Sequence, residues 1–310
     1  MTVPADPKVW AKIGHFMPER AMLALHRAGM FYGFTRLIFW TSWAHIANGF
    51  EWNLSPGGVY RPRRNQSSRH EDNSQGNLMS DLNYFLYDQD GPIVTITFNR
   101  PEKRNGLDPQ VMLEFESLIH RVRDANDVKV LVVTGKGSAF CAGADLTLAR
   151  DAKDDDERRR INEDMGRVPR IIGRVFDVMV HMDVISIASV NGFAVGGGWS
   201  MATGFDHIIA VEDAQFWLPE VEIERPFKGL ANINLTQRLG PVLAKEAMIL
   251  CRRFPAEELR QLRVINQVCK ADELESETRR IADAYLSMPW KAAISTRRDI
   301  NATIYGPQYY

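Results

Sequence analysis

A glycine-rich turn is the part of this sequence best suited to chemistry. Residues 184–190 form a short apolar run that predicts a strand, and Gly196, Gly197 and Gly198 follow at the predicted start of a helix. Glycines let a ligand approach bare backbone, and the first N–H groups of a helix have no partner within it. The turn can therefore hold an anion or an oxygen that gains negative charge, although such a turn can also serve packing alone.

Two side chains that could take part in proton transfer lie close to this turn in the sequence. Glu220 follows Pro219, and a glutamate in an apolar setting can act as general acid or base. Ser200 stands in residues 198–202 (GWSMA), which approximate the nucleophile elbow of serine hydrolases. That mechanism needs a histidine farther along the chain, and the one histidine after the serine is His207, only seven residues away. So short a separation disfavours a catalytic triad.

The bulk composition excludes several kinds of partner and site. The chain has 310 residues, of which 45% are hydrophobic and 25% charged, and its net charge of −1 gives no argument for nucleic acid binding. Cys141, Cys251 and Cys269 are too few for a disulfide framework and lack the spacing of a zinc site. We therefore expect no metal and a reducing compartment, with the cytoplasm favoured and the mitochondrion as the alternative.

The first 80 residues differ in character from the rest of the chain. Residues 1–55 predict a helical N-terminal extension, and residues 56–80, rich in Arg, Asn, Ser and Gln, predict a polar linker or arm. The most apolar part is residues 28–50, and Arg36 within it disfavours a membrane span there. We expect this part to dock on the main domain or another subunit, with contact of residues 21–50 to a membrane surface as the alternative.

From residue 81 onward the pattern is that of an α/β domain. Two strand-like runs flank residues 89–91 (QDG), which predicts a hairpin. Asp108 and Pro109 predict a helix start, because Asp caps helices and Pro suits the first helical position. Further strands are predicted at 128–134 and 208–211, and the periodicity is mainly helical from Leu235. Strands that alternate with helices favour an α/β fold.

Three segments, each after a predicted strand, carry a resemblance to a known family. They are residues 99–107, 138–146 and 191–198. In order and spacing they resemble the enoyl-CoA hydratase/isomerase family, the crotonase superfamily. The resemblance implies an α/β core of repeated ββα turns wound into a superhelix at 81–235, and a C-terminal helical oligomerisation region at 236–310. It also implies an acyl-CoA substrate, no cofactor beyond the coenzyme A of that substrate, and a homotrimer or homohexamer.

The resemblance also implies roles for individual residues. Two backbone N–H groups, matched here by Ala142 and Gly197, would bind the thioester oxygen as it becomes an enolate. Trp199 and Trp217 add bulk near the expected acyl pocket. The implied coenzyme A contacts are Lys103, Arg104, Gly106, Asp145 and Leu146. Near the C-terminus, Arg297 and Arg298 are expected on a solvated helix face or, alternatively, at phosphates bound to a neighbouring subunit.

One departure from the family pattern bears on the reaction. The family's hydratases have one glutamate at the position of Ser200 and another at the position of Glu220. A neutral serine cannot act as a base at ordinary pH, but it can hold a water or orient a hydroxyl. We therefore expect a single acid/base, Glu220, and favour isomerase or hydroxycinnamoyl-CoA hydratase-lyase chemistry over two-glutamate hydration. A non-catalytic acyl-CoA-binding or scaffold protein and a serine hydrolase using Ser200 are the alternatives.

Overall fold

A computed structural model describes residues 82–226 and 230–306 of the chain. The helical extension, the polar arm and the membrane-surface contact predicted for residues 1–80 lie outside these ranges. Within the two ranges, no helix combines the length and the apolar character needed to cross a membrane.

The described residues contain ten strands in two sheets. They are β1 (Phe85–Asp90), β2 (Ile93–Phe98), β3 (Val130–Gly135), β4 (Ala139–Cys141), β5 (Ile185–Val190), β6 (Phe193–Val195), β7 (His207–Val211), β8 (Gln215–Trp217), β9 (Phe254–Pro255) and β10 (Gln267–Cys269). The larger sheet has the order β1-β2-β3-β5-β7-β10, and only its β1–β2 pair is antiparallel. All six residues of β5 are buried, as expected for a parallel strand covered on both faces.

The second sheet is small, but it positions the candidate site. Its order is β4-β6-β8-β9, and β4, β6 and β8 are adjacent parallel strands of three residues each. Because parallel strands run in one direction, their carboxyl ends meet at a single edge of the sheet. The three loops that leave these strands are therefore brought together there.

Nine α-helices pack around the two sheets in this part of the chain. They are α1 (Pro109–Asp124), α2 (Thr147–Arg150), α3 (Asp155–Met165), α4 (Val168–His181), α5 (Gly197–Ala202), α6 (Leu230–Ile249), α7 (Ala256–Gln261), α8 (Leu274–Leu286) and α9 (Trp290–Tyr305). Helix α1 begins as predicted, because Asp108 Oδ1 accepts hydrogen bonds from the N–H groups of Gln110 and Val111, each at 2.9 Å. Helix α6 is kinked at Gly240, directly before Pro241.

The C-terminal region is mainly helical, as the periodicity predicted, but it also includes two short strands. It contains β9 and β10, and β10 pairs in parallel with β7 at the edge of the larger sheet. Strands of two or three residues are too short to show a two-residue period, so their pairing partners decide their conformation. The predicted hairpin at residues 89–91 is confirmed, with Gly91 at φ +56° between β1 and β2.

Arg297 is buried, which corrects the expectation of a solvated or phosphate-binding side chain. Its Nε lies 2.8 Å and 2.9 Å from the two carboxylate oxygens of Asp206. Its other nitrogens donate to the carbonyls of Met179, Val180 and Met182 at the end of α4. The guanidinium therefore joins α9 to the carbonyls at the end of α4, where a helix has no internal donors.

We expect Arg297→Met to lower the free energy of unfolding by about 3–5 kcal/mol, because it removes the cation paired with the part-buried Asp206 and the donor to the carbonyls of Met179 and Met182. Arg298→Met is the matched control, since Arg298 pairs with Asp183 on the exposed face of the same helix. An exposed pair of this kind contributes less than about 1 kcal/mol. Urea unfolding of both variants measures the difference, and equal losses would contradict the assignment.

Candidate active site

A cavity of about 210 Å³ lies at the edge where β4, β6 and β8 end. Each following loop contributes to its wall, through Ala142 to Ala144, through Gly196 and Gly197, and through Pro219 and Glu220. The opposite wall is apolar and includes Met165 of α3 and Val168 and Ile172 of α4. Among the described residues that line the cavity, Glu220 is the one carboxylic acid.

The carboxyl group of Glu220 lies against the bare backbone of Gly196. An ideal Cβ placed on Gly196 would be 2.7 Å from Glu220 Oε1, and the glycine has φ +51°, so a side chain is excluded on both grounds. Glu220 Oε2 is buried and accepts no hydrogen bond from the described residues. Burial raises the pKa of Glu220, and a hydrogen bond from its own backbone N–H opposes this only in part. A raised pKa suits a group that both accepts and donates a proton.

We expect Glu220→Gln to gain stability relative to the wild type as the pH rises. A raised pKa means that the folded protein holds this proton more tightly than the unfolded chain does. Between the unfolded and folded pKa values, the wild type therefore loses stability as the pH increases, whereas the glutamine variant does not titrate there. Melting temperatures from about pH 4 to about pH 8 measure the trend, with a widening difference in favour of the variant.

Glu116→Gln serves as the control of opposite sign. Arg174 donates to both carboxylate oxygens of Glu116, at 2.6 Å and 2.7 Å, and lowers its pKa. Wild-type stability linked to Glu116 is therefore lost as the pH falls below the unfolded pKa of about 4.3, so this variant should lose relative stability as the pH rises toward about 5, and its melting temperatures are measured from about pH 2.5 to about pH 5. A Glu220→Gln difference that does not change with pH, or follows the Glu116 trend, would contradict the assignment.

Two backbone N–H groups at the cavity have no acceptor among the described residues. The N–H of Ala142, the predicted donor, is occupied, because it donates to the carbonyl of Arg104 at 3.0 Å. The neighbouring Ala144 lines the cavity with its N–H free, as does Gly197 on the facing turn. The N–H of Leu107 donates to the carbonyl of Gly143, and the carbonyl of Leu107 accepts from the N–H of Asp145. This pairing leaves the N–H of the intervening Ala144 without an acceptor. Ala142 is therefore replaced by Ala144 as the candidate donor.

Ser200 shares the cavity with Glu220. It lies in α5, where its N–H donates to the carbonyl of Gly196 at 3.0 Å, and its side chain faces the cavity. His207, the histidine that a serine hydrolase would need, instead packs against Tyr285 with 3.3 Å between Nδ1 and the tyrosine oxygen. No histidine is present among the described residues that line the cavity, so Ser200 has no histidine base there.

Of the five predicted coenzyme A contacts, Leu146 lines this cavity and is 45% exposed. Lys103 and Arg104 are exposed beside it, and Lys103 Nζ donates to Thr147 Oγ1 at 2.8 Å. Arg104 contributes its carbonyl to the bond with Ala142. The fold thus brings these residues next to the cavity, although their side chains do not line it.

Gly106 and Asp145 hold the loops instead of facing the cavity. Arg100 donates to the carbonyl of Gly106 at 2.8 Å and contacts Asp145 Oδ2 at 3.5 Å. The other oxygen of Asp145 accepts hydrogen bonds from the N–H and the hydroxyl of Thr147, at 3.1 Å and 2.6 Å. The side chain of Asp145 is only 3% exposed, so its carboxylate is fully engaged in keeping residues 142–147 in place.

Two asparagines that sequence analysis did not single out also support the site. Asn105 is fully buried, and its Nδ2 donates to the carbonyls of Ala139 and Lys136 at 2.7 Å and 3.1 Å. Asn191 accepts from the N–H of Gly135 and donates to the carbonyl of Gly137. The Asn-Gly pairs at both positions are turn signals, but the long-range partners have no signature in the sequence.

Both tryptophans lie elsewhere than in the predicted acyl pocket. Trp199 has no exposed surface, and its ring packs against Phe216 and Phe254 with centroids 6.0 Å and 5.7 Å away. Trp217 packs against Phe193 and lies under the guanidinium of Arg253 at 4.7 Å. Neither lines the cavity. Trp199 is kept out because α5 turns Ser200 toward the cavity and the adjacent Trp199 toward the second sheet.

The chain is similar in sequence to several known proteins. Residues 88–306 match the family model described as enoyl-CoA hydratase/isomerase. A short-chain-enoyl-CoA hydratase of Clostridium acetobutylicum is 29% identical over 225 residues, which are 71% of this chain and 82% of that protein. A carnitinyl-CoA dehydratase of Proteus mirabilis is 31% identical over 194 residues, 62% of this chain and 70% of that protein.

A solved structure supports the same fold. It is a protein of Thermobifida fusca assigned as an enoyl-CoA hydratase and crystallised with acetoacetyl-CoA. It superimposes with a TM-score of 0.64 at 26% sequence identity, over 71% of this chain and 87% of that one. The crotonase-type α/β architecture expected from residues 99–107, 138–146 and 191–198 is therefore present.

Proposed function

The chain belongs to the enoyl-CoA hydratase/isomerase family, and from this premise we propose that it acts on an acyl-CoA thioester through a stabilised enolate. One observation carries the proposal. The buried carboxyl group of Glu220, whose Oε2 has no hydrogen-bond donor among the described residues, shares a cavity with two unpaired backbone N–H groups. Burial of such unpaired groups destabilises the folded protein unless a ligand supplies the missing hydrogen bonds.

The N–H groups of Ala144 and Gly197 form the proposed oxyanion site. Loss of a proton from the carbon next to the thioester carbonyl, or addition of a nucleophile one carbon farther out, moves negative charge onto the thioester oxygen. Two donors held by the backbone stabilise this charge without having to reorganise, and loss of one such donor typically costs about 3 kcal/mol. The close approach of Gly143 to Gly197 supports this role, because an ideal Cβ on Gly143 would lie only 3.2 Å from the nitrogen of Gly197, so the two loops lie side by side.

Glu220 is the proposed single acid/base. It would take a proton from the substrate, or from an attacking water, and return a proton to the enolate as the product forms. Ser200 would orient a water or a substrate hydroxyl, since its own proton is not lost at ordinary pH. The lone carboxylate in the cavity favours isomerase or hydroxycinnamoyl-CoA hydratase-lyase chemistry over hydration between two glutamates.

We also propose that the chain assembles as a homotrimer or homohexamer. Helix α6 and its end expose the apolar side chains of Val242, Ile249 and Leu250, at 71%, 59% and 72%. Exposed apolar surface of this kind marks interaction sites. Light scattering of the purified protein measures the assembly, and a monomer at working concentration would contradict it.

The reaction is tested by product analysis with three thioesters, a trans-2-enoyl-CoA, a trans-3-enoyl-CoA and 4-hydroxycinnamoyl-CoA. Double-bond movement identifies an isomerase, release of an aromatic aldehyde identifies a hydratase-lyase, and a 3-hydroxyacyl product identifies a hydratase. The proposal expects turnover of at least one of them. Tight binding of all three without any product would favour the non-catalytic acyl-CoA-binding alternative.

A further inference from the structure

A second, smaller cavity adjoins the candidate active site. Its volume of about 20 Å³ gives room for one water-sized group. Ile172 and Ser200 line both cavities, so these two side chains stand between the two compartments. The larger cavity and this inner compartment therefore meet at these two side chains.

The inner compartment is apolar except for two polar side chains. Its other residues include Phe115, Phe176, Phe205, Met179 and Met201. Apart from Ser200 at the boundary, the polar side chain among its described lining residues is Asn234 of α6. Asn234 is only 3% exposed, and its Oδ1 is buried without a hydrogen-bond donor from the described residues.

An unpaired carbonyl oxygen at this position selects the kind of group that can enter. Buried acceptors are nearly always paired, because desolvation without a hydrogen bond destabilises the folded protein. A hydrocarbon end cannot donate to Asn234, and a carboxylate would place negative charge against its oxygen. A water held between Ser200 and Asn234 would have the two polar side chains of the compartment as partners, the minimum that a trapped water needs, and a ligand donor can displace it. A neutral hydroxyl or N–H group on an otherwise apolar ligand can donate the missing hydrogen bond to Asn234, while the rest of the ligand contacts the apolar side chains.

We propose that the inner compartment binds the distal end of the acyl group and that Asn234 accepts a hydrogen bond from a hydroxyl or N–H at that end. The substrate class is thus an acyl-CoA whose apolar chain or ring ends in a neutral hydrogen-bond donor. This assignment rests on the proposed function, because it concerns the acyl group of the same thioester. Met179 and Met201 are flexible enough to adapt the compartment to the group that enters.

Binding of matched, unreactive thioesters to the full-length wild-type protein tests the assignment. The pairs are 6-hydroxyhexanoyl-CoA with heptanoyl-CoA and 3-(4-hydroxyphenyl)propanoyl-CoA with 3-(4-methylphenyl)propanoyl-CoA, in which a hydroxyl replaces a methyl of similar size. Burial alone would favour the methyl member. We expect calorimetry to show about 10-fold tighter binding of the hydroxyl member in at least one pair, the effect of one hydrogen bond in a buried site. Equal binding, or a methyl preference in both pairs, would overturn the assignment.

Variants then locate the preference. Asn234→Leu has nearly the same shape without an acceptor and should lose the hydroxyl preference, and Asn234→Ala serves if the leucine variant does not fold. Met201→Leu changes the shape of the same compartment but not its polar groups, so it should keep the preference. A preference that persists in a folded Asn234 variant would place the acceptor elsewhere and overturn the assignment.

Failure of this inference and failure of the proposed function give different results. The saturated thioesters have no double bond, so their affinities do not depend on turnover. A hydroxyl preference in a protein that converts none of the unsaturated thioesters would contradict the proposed chemistry and support the role of Asn234. Turnover without any hydroxyl preference would support the proposed chemistry and contradict the role of Asn234. A wild-type protein that binds no thioester would contradict both the proposed function and the role of Asn234.

Discussion

Replacement of Glu220 by glutamine is expected to lower kcat by about 10²–10⁴-fold, the usual contribution of a positioned acid/base. Glutamine has the same shape and fits against Gly196, but its amide cannot accept a proton from carbon or water. The N–H groups of Ala144 and Gly197 are unchanged, so the affinity for an unreactive thioester should stay within a few fold of the wild type. Steady-state kinetics and calorimetric binding on the same preparations separate the two effects.

The control for this prediction is Glu222→Gln. Glu222 is exposed, lies on the same loop and does not line the cavity, so its kcat should match that of the wild type. A Glu220→Gln enzyme that keeps the wild-type kcat would show that another group moves the proton. A variant that loses thioester affinity and kcat together would place Glu220 in binding instead of proton transfer.

Replacement of Gly143 by alanine is expected to lower kcat/KM by about 10²–10³-fold, comparable to the loss of one oxyanion donor. An ideal Cβ on Gly143 would lie 2.6 Å from the carbonyl oxygen of Val195 and 3.2 Å from the nitrogen of Gly197. Both neighbours are backbone atoms, so the loop itself must move. The adjacent N–H of Ala144 and the N–H of Gly197 would then no longer converge on one oxygen.

Gly91→Ala is the matched control for backbone strain. Both glycines have positive φ, +76° at Gly143 and +56° at Gly91, but a Cβ on Gly91 meets nothing within 4 Å. Gly91 lies in the β1–β2 hairpin, so alanine there should lower the melting temperature without lowering kcat/KM. Wild-type kcat/KM in a folded Gly143→Ala variant would rule out the proposed oxyanion site.

Much of the fold follows from signals that act over a few residues. The helix start at Asp108, the hairpin at Gly91 and the buried parallel strand β5 each depend on turn chemistry, a cap or an apolar run. Because these preferences are local, the sequence predicts them without knowledge of the tertiary contacts. The glycine turn points to Gly197, and the family resemblance adds Ser200 and Glu220; all three line the same cavity.

The details that decide the chemistry depend on distant partners. The N–H of Ala142 is used because Arg104, 38 positions earlier, presents its carbonyl there, which leaves Ala144 as the free donor. Arg297 is buried because Asp206 and the end of α4 complete its hydrogen bonds. No periodicity or motif in the sequence predicts such long-range hydrogen bonds.

The α/β class, the family resemblance and the loops that carry the reactive groups can be predicted from the sequence, because they depend on short-range patterns and motifs. The packed structure is needed to show which backbone donors are free, that Trp199 faces the core while Ser200 faces the cavity, and that Asn234 Oδ1 is unpaired. Hydrogen-bond satisfaction and burial depend on packed neighbours, which are distant in the sequence. Here those neighbours meet through β4, β6 and β8, strands of three residues each, which are too short to be recognised before they pair.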